Sequence, residues 1–244
     1  MSTRITVVTG GGSGIGRATC TRLTADGFTL AVLDVDGEAA KVAAGPDGLG
    51  CAADVADRHA VAAAFAQVVE AFGRIDVLVN NAGVSGTVDA TVCHETTVEE
   101  WDRVLAINTR GPFLCARAAL PVMLAQGSGH IITVASVAGQ VAFPGRCAYT
   151  ASKGAALMFA KSLAADYAAA GIRSNAVCPG FVRTPMTQWR LDVPELREQV
   201  EARIPTGRVA EPDDIADAIA VLASGRMGYM TGAALVVDGG WTVL

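Results

Sequence analysis

Residues 5–16 read ITVVTGGGSGIG, a short apolar run followed at once by a glycine-rich turn. The glycines at positions 10, 14 and 16 follow the spacing G-x-x-x-G-x-G rather than the commoner G-x-G-x-x-G. Glycine allows a tight turn and lets backbone N–H groups approach a phosphate at the start of a helix. The stretch therefore predicts a strand, a turn and a helix that together bind the pyrophosphate of a dinucleotide.

The same alternation of apolar runs and helical patterns continues to the end of the chain. Continuous apolar runs are typical of parallel strands that are buried on both faces, and helical patterns between them indicate βαβ units. We predict a single-domain, Rossmann-like, doubly wound parallel sheet of seven strands with helices on both faces, spanning residues 1–244. The predicted strands are Ile5–Thr9, Thr29–Asp34, Leu49–Ala53, Ile75–Asn80, His130–Ser136, Ile172–Cys178 and Ala233–Asp238.

Composition excludes several classes of protein. Apolar residues make up 51% and charged residues 18%, which is inconsistent with general disorder. The net charge of −5 argues against a nucleic-acid partner, and no apolar run is long enough for a membrane partner. The six cysteines form no CxxC pair, so no metal site is expected. The first strand begins almost at once, so we expect no signal peptide and a cytoplasmic location.

An acidic residue ends the second predicted strand. The carboxylate of Asp34 lies 18 residues after Gly16, where it can accept hydrogen bonds from the ribose hydroxyls of adenosine. The same carboxylate would repel a 2′-phosphate, so the pattern favours NAD(H) over NADP(H). The alternative is an ordinary turn aspartate ahead of Asp36.

A helical spacing brings together two residues with complementary chemistry. Tyr149 and Lys153 are four positions apart and share one face of a helix. A nearby ammonium favours the phenolate and would lower the pKa of the tyrosine, which makes it a candidate acid–base group. Ser136 precedes Tyr149 by thirteen residues, at the end of the fifth predicted strand, where its hydroxyl can bind a substrate oxygen.

Taken together, these motifs resemble the short-chain dehydrogenase/reductase family, in its branch of about 250 residues. The resemblance covers the whole chain. It implies that Tyr149 is the general acid or base, that Lys153 holds the nicotinamide ribose and lowers the pKa of Tyr149, and that Ser136 positions the carbonyl. It also implies that Asn108 supports a proton-relaying water and that Thr184 binds the carboxamide.

The resemblance also implies a cofactor site for NAD. The cofactor-binding residues expected from it and from the strand ends are Gly10, Ser13, Gly14, Ile15, Gly16, Asp34, Asp54, Val55, Asn81, Ala82, Gly83, Tyr149, Lys153, Pro179, Gly180, Val182 and Thr184.

A segment without strand character follows the sixth predicted strand, and we expect a substrate lid at about residues 184–211. The stretches 141–149 and 184–192 are similar to one group of the family, the 2-(R)-hydroxypropyl-coenzyme M dehydrogenases. The similarity implies that Arg146 and Arg190 grip a sulfonate, which suits the planar arginine fork. The other candidate substrate residues are Phe143, Met186 and Trp189.

The expected activity is NAD-dependent interconversion of a secondary alcohol and a ketone, with 2-hydroxypropyl-coenzyme M or another small anionic hydroxy compound as the substrate. The alternatives within enzymes are a 3-oxoacyl-thioester reductase and a broad-specificity carbonyl reductase. A nucleotide-sensing binding module is disfavoured because the Ser136, Tyr149 and Lys153 set is intact. The resemblance suggests a homotetramer packed through the helices of residues 101–126 and the C-terminal strand.

Overall fold

The computed structural model describes residues 4–87 and 92–243. It contains one parallel sheet of seven strands in the order β3-β2-β1-β4-β5-β6-β7. The strands are β1 (Ile5–Thr9), β2 (Thr29–Asp34), β3 (Leu49–Ala52), β4 (Val77–Asn80), β5 (Gly129–Val134), β6 (Ile172–Pro179) and β7 (Ala234–Val237). The helices are α1 (Gly14–Ala25), α2 (Gly37–Ala44), α3 (Arg58–Phe72), α4 (Val98–Leu105), α5 (Gly111–Gln126), α6 (Cys147–Tyr167), α7 (Pro185–Leu191), α8 (Pro194–Glu201) and α9 (Pro212–Ala223).

The strand order confirms the predicted fold class. The chain adds strands in one direction from β1 to β3 and in the other direction from β4 to β7. Ligands of such sheets bind outside the carboxyl ends of the strands, at the point where the order reverses. In this chain that point lies between β1 and β4.

Five of the seven strands differ from prediction by one or two residues at their ends, and at the two largest differences a side chain takes the place of the ladder. The fourth strand begins at Val77 rather than Ile75, since the N–H of Ile75 donates to the side chain of Gln126 at 2.9 Å. The fifth strand ends at Val134, two residues before Ser136. The Oγ of Ser136 accepts a hydrogen bond from the backbone N–H of Ala138 at 3.1 Å and starts a short 3₁₀ turn.

Alternate residues of the central strands enter the two halves of the core. Side chains at successive positions of a strand point to opposite faces, and both faces of this sheet are covered by helices. One layer packs on α3 and α5 and contains Val7, Phe65, Leu78, Met123 and Ile131. The other packs on α1 and α9 and contains Val8, Leu23, Val79, Ile132 and Ile219.

The segment of residues 184–211, expected to be a lid, carries α7 and α8. Its apolar side chains form a small cluster of their own, in which Leu191 and Val200 pack with Trp241 near the C-terminus. A parallel bridge between Val182 and Ala210 joins the two ends of the segment. Motion of this segment stays a prediction. Within residues 4–87 and 92–243 no helix is both long and apolar enough to cross a membrane.

Candidate active site

A cleft of about 780 Å³ opens at the carboxyl edge of the sheet. Its size is within the range of small-molecule and cofactor sites. The structure brings most of the predicted cofactor residues to its wall. They are Gly10, Ser13, Gly14, Ile15, Asp34, Asp54, Val55, Asn81, Ala82, Gly83, Tyr149, Lys153, Pro179, Gly180, Val182 and Thr184.

Two glycines of the turn after β1 are required for different reasons. Gly10 has a φ of 64°, in the left-handed region, and a Cβ there would lie 2.8 Å from the Cα of Ala82. Gly16 does not line the cleft in the described structure. A Cβ on it would run into the carbonyl of Gly10 and the side chain of Asn81, so this glycine lets α1 pack beneath the turn. The result is a cradle that leaves the start of α1 open to a phosphate group.

The carboxylate of Asp34 is held at the end of β2 by the backbone. Its Oδ2 accepts the N–H of Gly12 at 2.8 Å, and its Oδ1 accepts the N–H of Asp36 at 3.0 Å. The side chain thus links the glycine turn to the loop that leads into α2. It still lines the cleft, where it can accept further hydrogen bonds.

The hydroxyl of Thr9, buried at the end of β1, shapes the neighbouring wall. It accepts the backbone N–H groups of Asn81 and Ala82, each at 3.1 Å. The side chain of Asn81 donates back to the carbonyls of Thr9 and Gly10, at 3.0 and 2.9 Å. These four hydrogen bonds fix the turn after β4 against the turn after β1.

Ser136, Tyr149 and Lys153 also line the cleft, and the side chains of Ser136 and Tyr149 are hydrogen-bonded. The part of the cleft around these residues and Arg146 is called the substrate end. The Nζ of Lys153 donates to the carbonyl of Val134 at 2.8 Å and lies 5.8 Å from the centre of the Tyr149 ring. Burial lowers the pKa of Lys153 to about 8. A lysine in this setting changes its charge within the pH range in which enzymes work.

The pKa of Tyr149 differs from the expectation drawn from the sequence. Burial raises this pKa, while the hydrogen bond with Ser136 and the positive charge of Arg146 act in the opposite direction. The expected lowering by Lys153 is absent among the described contacts, because its ammonium is directed to the carbonyl of Val134. The phenol therefore stays protonated at neutral pH and can donate a proton.

Asn108 lies on a π-helical turn, Ala106–Arg110, that joins α4 to α5. Its amide oxygen accepts the N–H of Val84, and its amide nitrogen donates to the carbonyl of Val84, both at 2.8 Å. The same nitrogen donates to the hydroxyl of Ser152 at 3.0 Å. Asn108 is buried beneath the cleft and, within the described structure, does not line it. The sequence indicated the residue but gave no sign of the π-helical turn, a feature often found at functional sites.

Two of the five candidate substrate residues are arginines, of which Arg146 lines the cleft and Arg190, among the described residues, does not. Arg146, just before α6, lines the cleft, and Arg190, on α7, lies close enough to lower its pKa electrostatically. Arg190 stacks over the ring of Trp189 at 5.6 Å, and Trp189 lines the cleft. The arrangement concentrates positive charge at the substrate end of the cleft.

The remaining two candidates have different positions. Met186 lines the cleft, and its contact with a substrate stays a prediction. Phe143 does not line it among the described residues. Its ring packs against Trp241 at 5.6 Å between centroids and belongs to the apolar cluster of the 184–211 segment. Burial of the ring against another aromatic side chain keeps it away from the cleft.

Sequence reasoning missed several residues of the wall, and two of the missed parts lie beside Arg146 or on α4. The segment of residues 84–87 lines the cleft, and its signal was its position directly after the turn that follows β4. Arg103, on α4, also lines the cleft and is paired with Glu100 at 3.0 Å. Nothing in the spacing of α4 pointed to this position.

Comparison with known proteins agrees with this geometry. A family model described as enoyl-(acyl carrier protein) reductase matches residues 10–242. The chain belongs to the short-chain dehydrogenase/reductase family. It is therefore an oxidoreductase that uses a nicotinamide cofactor and acts on the alcohol or ketone group of a small molecule.

Relatives within the short-chain dehydrogenase/reductase family match over nearly the full length. The chain is 52% identical to the 2-(R)-hydroxypropyl-CoM dehydrogenase of Xanthobacter autotrophicus, over 99% of both chains. It is 39% identical to a 3-oxoacyl-[acyl-carrier-protein] reductase of Staphylococcus aureus, over 98% of both chains. The crystal structure of levodione reductase superposes with a TM-score of 0.91 at 36% identity, over 98% of both chains.

Proposed function

We propose that this protein is an NAD-dependent dehydrogenase that interconverts a small anionic secondary alcohol and its ketone, with 2-hydroxypropyl-coenzyme M as the first candidate. The observation that carries the proposal is Arg146, which lines the cleft, together with the positive charge of Arg190 that acts on it from α7. The relative that shares 52% of its residues and is a 2-(R)-hydroxypropyl-CoM dehydrogenase supports the choice of substrate.

The catalytic steps fall to three side chains. Tyr149 moves a proton to or from the substrate oxygen, and Ser136 donates a hydrogen bond that holds this oxygen in place. The ammonium of Lys153, held beside Tyr149 by the carbonyl of Val134, would bind the nicotinamide ribose. The bound nicotinamide supplies the hydride chemistry. Asn108 holds Val84 and Ser152 in place around these groups.

The preference for NAD(H) rests on Asp34. Its carboxylate is oriented by two backbone N–H groups and faces the cleft, where it can accept hydrogen bonds from ribose hydroxyls. The next residue in the wall, Val35, carries no charge that could pair with a 2′-phosphate. A phosphate there would meet the negative charge of Asp34 without compensation.

The anion site rests on the charges around Arg146. Its Nη1 donates to the carbonyl of Thr87 at 2.7 Å. Its Nε and Nη2 have no hydrogen bond to the described residues and stay available to an oxyanion. A tetrahedral sulfonate suits such a fork, and Arg190 would supply the second positive charge.

Steady-state kinetics with a panel of ketones tests the proposal. The panel contains 2-ketopropyl-coenzyme M, a 3-oxoacyl thioester and neutral aryl ketones, each reduced with NADH and with NADPH. We expect the highest kcat/KM for 2-ketopropyl-coenzyme M with NADH. Equal kcat/KM for NADH and NADPH would contradict the role of Asp34, and equal kcat/KM for anionic and neutral ketones would contradict the anion site.

A matched pair of variants sharpens the cofactor test. Asp34→Asn keeps one acceptor oxygen, for the N–H of Gly12 or of Asp36, and removes the charge, whereas Asp34→Ala removes both acceptors and the charge. We expect Asp34→Asn to lose discrimination against NADPH while losing less thermal stability than Asp34→Ala. A variant that still rejects NADPH would show that another residue sets the preference.

A 3-oxoacyl-thioester reductase is the second candidate, supported by the relative from Staphylococcus aureus at 39% identity. The same panel of ketones separates the two candidate functions.

We also propose a homotetramer. Exposed apolar side chains on α4 and α5, among them Val98 at 69% and Phe113 at 47%, support an interface on this face. Sedimentation equilibrium tests it.

A further inference from the structure

Glu100, on α4, makes a set of contacts that the proposed mechanism does not use. Its Oε1 accepts the backbone N–H of Thr87 at 2.6 Å, and its Oε2 accepts the Nε of Arg103 at 3.0 Å. The side chain is only 13% exposed. A carboxylate in this position is enclosed between the helix and the segment of residues 84–87, which lines the cleft.

Thr87 connects Glu100 to the anion site. Its N–H donates to Glu100, and its carbonyl accepts the Nη1 of Arg146 at 2.7 Å. One residue of the wall is thus bonded to a carboxylate on one side and to a guanidinium on the other. The position of the Thr87 carbonyl determines where Arg146 is held, and Glu100 fixes that position.

The charges around this link act in two directions. Arg103 and Arg146 both lower the pKa of Glu100, so the carboxylate stays ionised. Its negative charge in turn offsets part of the positive charge that Arg146 and Arg190 present to an anion. Removing the charge alone would strengthen attraction for an anion, whereas removing the acceptor would release Thr87.

We propose that Glu100 is a positioning residue that sets the selectivity for anionic over neutral ketones by holding Thr87 against Arg146. This inference rests on the proposed anion site. It predicts that Glu100→Ala lowers the ratio of anionic to neutral kcat/KM and that Glu100→Gln does not. A purely structural role of Glu100 would predict the same change in both variants.

The first test compares Glu100→Ala with Glu100→Gln, using 2-ketopropyl-coenzyme M and methyl propyl ketone as the anionic and neutral substrates. Glu100→Ala loses the acceptor for Thr87, so the ratio of anionic to neutral kcat/KM should fall about tenfold, mainly through KM. Glu100→Gln keeps an acceptor oxygen and removes the charge, so the ratio should hold or rise. Equal falls in both variants would overturn the proposal.

Glu100→Asp tests the same proposal if Glu100→Ala fails to fold. It keeps the charge but shortens the side chain by one methylene, which withdraws the carboxylate from Thr87. The ratio should fall as it does in Glu100→Ala. A ratio unchanged from wild type would overturn the proposal. Glu38→Ala is the matched control, because Glu38 pairs with Lys41 at the same spacing on the exposed face of α2, and we expect no change.

A double-mutant cycle with Arg146→Ala tests whether Glu100 acts through Arg146. In the Arg146→Ala background, adding Glu100→Ala should change the anionic-to-neutral ratio by less than about twofold, because the two residues act as one unit. An additive tenfold loss would overturn the proposal. If Arg146→Ala itself leaves the ratio unchanged, the anion site fails and this inference fails with it. If Arg146→Ala lowers the ratio and Glu100→Ala does not, this inference alone fails.

Discussion

The cofactor end and the substrate end of the cleft are built from different parts of the chain. At the cofactor end, glycines and backbone N–H groups from the ends of β1, β2 and β4 hold one another through short hydrogen bonds. At the substrate end, Glu100 on α4 and Arg146 just before α6 both bond to Thr87, in the segment that follows β4, and Arg190 of α7 stacks on Trp189. The cofactor end is held mainly by backbone hydrogen bonds, which most side-chain substitutions leave in place. At the substrate end, by contrast, a single substitution can change the charge that a ligand meets.

This contrast suggests how substrates diverge on a shared scaffold. Backbone hydrogen bonds bind groups that are common to all nicotinamide cofactors, so they suit an unchanging ligand. Charged side chains bind the variable part of the substrate, and their replacement leaves the sheet intact. The relatives act on different substrates over one fold, as the hydroxypropyl-CoM dehydrogenase and the acyl-carrier-protein reductase illustrate.

The largest expected effect is on kcat, at Tyr149, where the cofactor end and the substrate end of the cleft meet. Tyr149→Phe removes only the hydroxyl, so we expect NADH binding to be unchanged while kcat falls by about 10²–10⁴-fold, the usual contribution of a general acid. Fluorescence titration of NADH and single-turnover reduction measure the two quantities. Near-normal turnover by the pure variant would show that another group transfers the proton.

The next largest effect is expected at the substrate end of the cleft, where Arg190 is tested. Arg190→Ala should reduce kcat/KM for 2-ketopropyl-coenzyme M by roughly one to two decades, the value of a charge-assisted hydrogen bond. Arg190→Lys should lose less, because it keeps the charge. The kcat/KM of a neutral ketone should change little. Equal losses for both ketones would indicate damage to α7 instead of a lost anion contact.

Arg190 is a cleaner test of the anion site than Arg146. The positive charge of Arg146 acts on Tyr149 and lowers its pKa, so Arg146→Ala should also weaken the acid and slow every substrate. Among the described residues, Arg146 and not Arg190 shifts the pKa of Tyr149. Comparing the two variants with one neutral ketone therefore separates anion binding from acid strength.

Lys153 provides a pH test at the same junction. Its pKa is lowered to about 8, so the ammonium is present below that pH and is lost above it. Ketone reduction needs this charge and a protonated Tyr149, whose pKa is raised, so kcat/KM should fall by up to about tenfold per pH unit above pH 8. In Lys153→Arg, which remains charged, the fall should move to higher pH. An unmoved profile would assign the titration to another group.

Much of the cofactor end could be predicted from sequence, because its signals are local. The glycine turn, Asp34 and the Asn81 turn each sit at the end of an apolar run, and parallel strands bring such ends together. The substrate end depends on distant partners. Arg146 contacts Thr87 across 59 positions of the chain, and no local pattern announces such a contact.

The differences between expectation and structure follow the same division. The resemblance of residues 141–149 puts Phe143 in the substrate site, but its ring packs on Trp241, which is far along the chain. Helical spacing couples the pKa of Tyr149 to Lys153, its neighbour on α6, whereas in the structure burial, Ser136 and Arg146 shift that pKa. Helical spacing predicts which residues share a face but does not predict where a flexible ammonium points.

The smallest effect on catalysis should come from substituting Thr9, whose hydroxyl holds the wall of the cofactor end in place. Thr9→Val removes the hydroxyl that accepts the N–H groups of Asn81 and Ala82 and leaves both donors without that partner. Each unpaired buried donor costs about 1–3 kcal/mol of folding free energy. We expect a lower Tm and weaker NADH binding, but a kcat within about twofold at saturating NADH, because the reacting groups are untouched. Thr9→Ser keeps the hydroxyl and should behave as wild type in calorimetry and in NADH titration. If Thr9→Val and Thr9→Ser match in both measurements, the turn after β4 is held by its other contacts, and the backbone-built end is less dependent on single side chains than on its glycines.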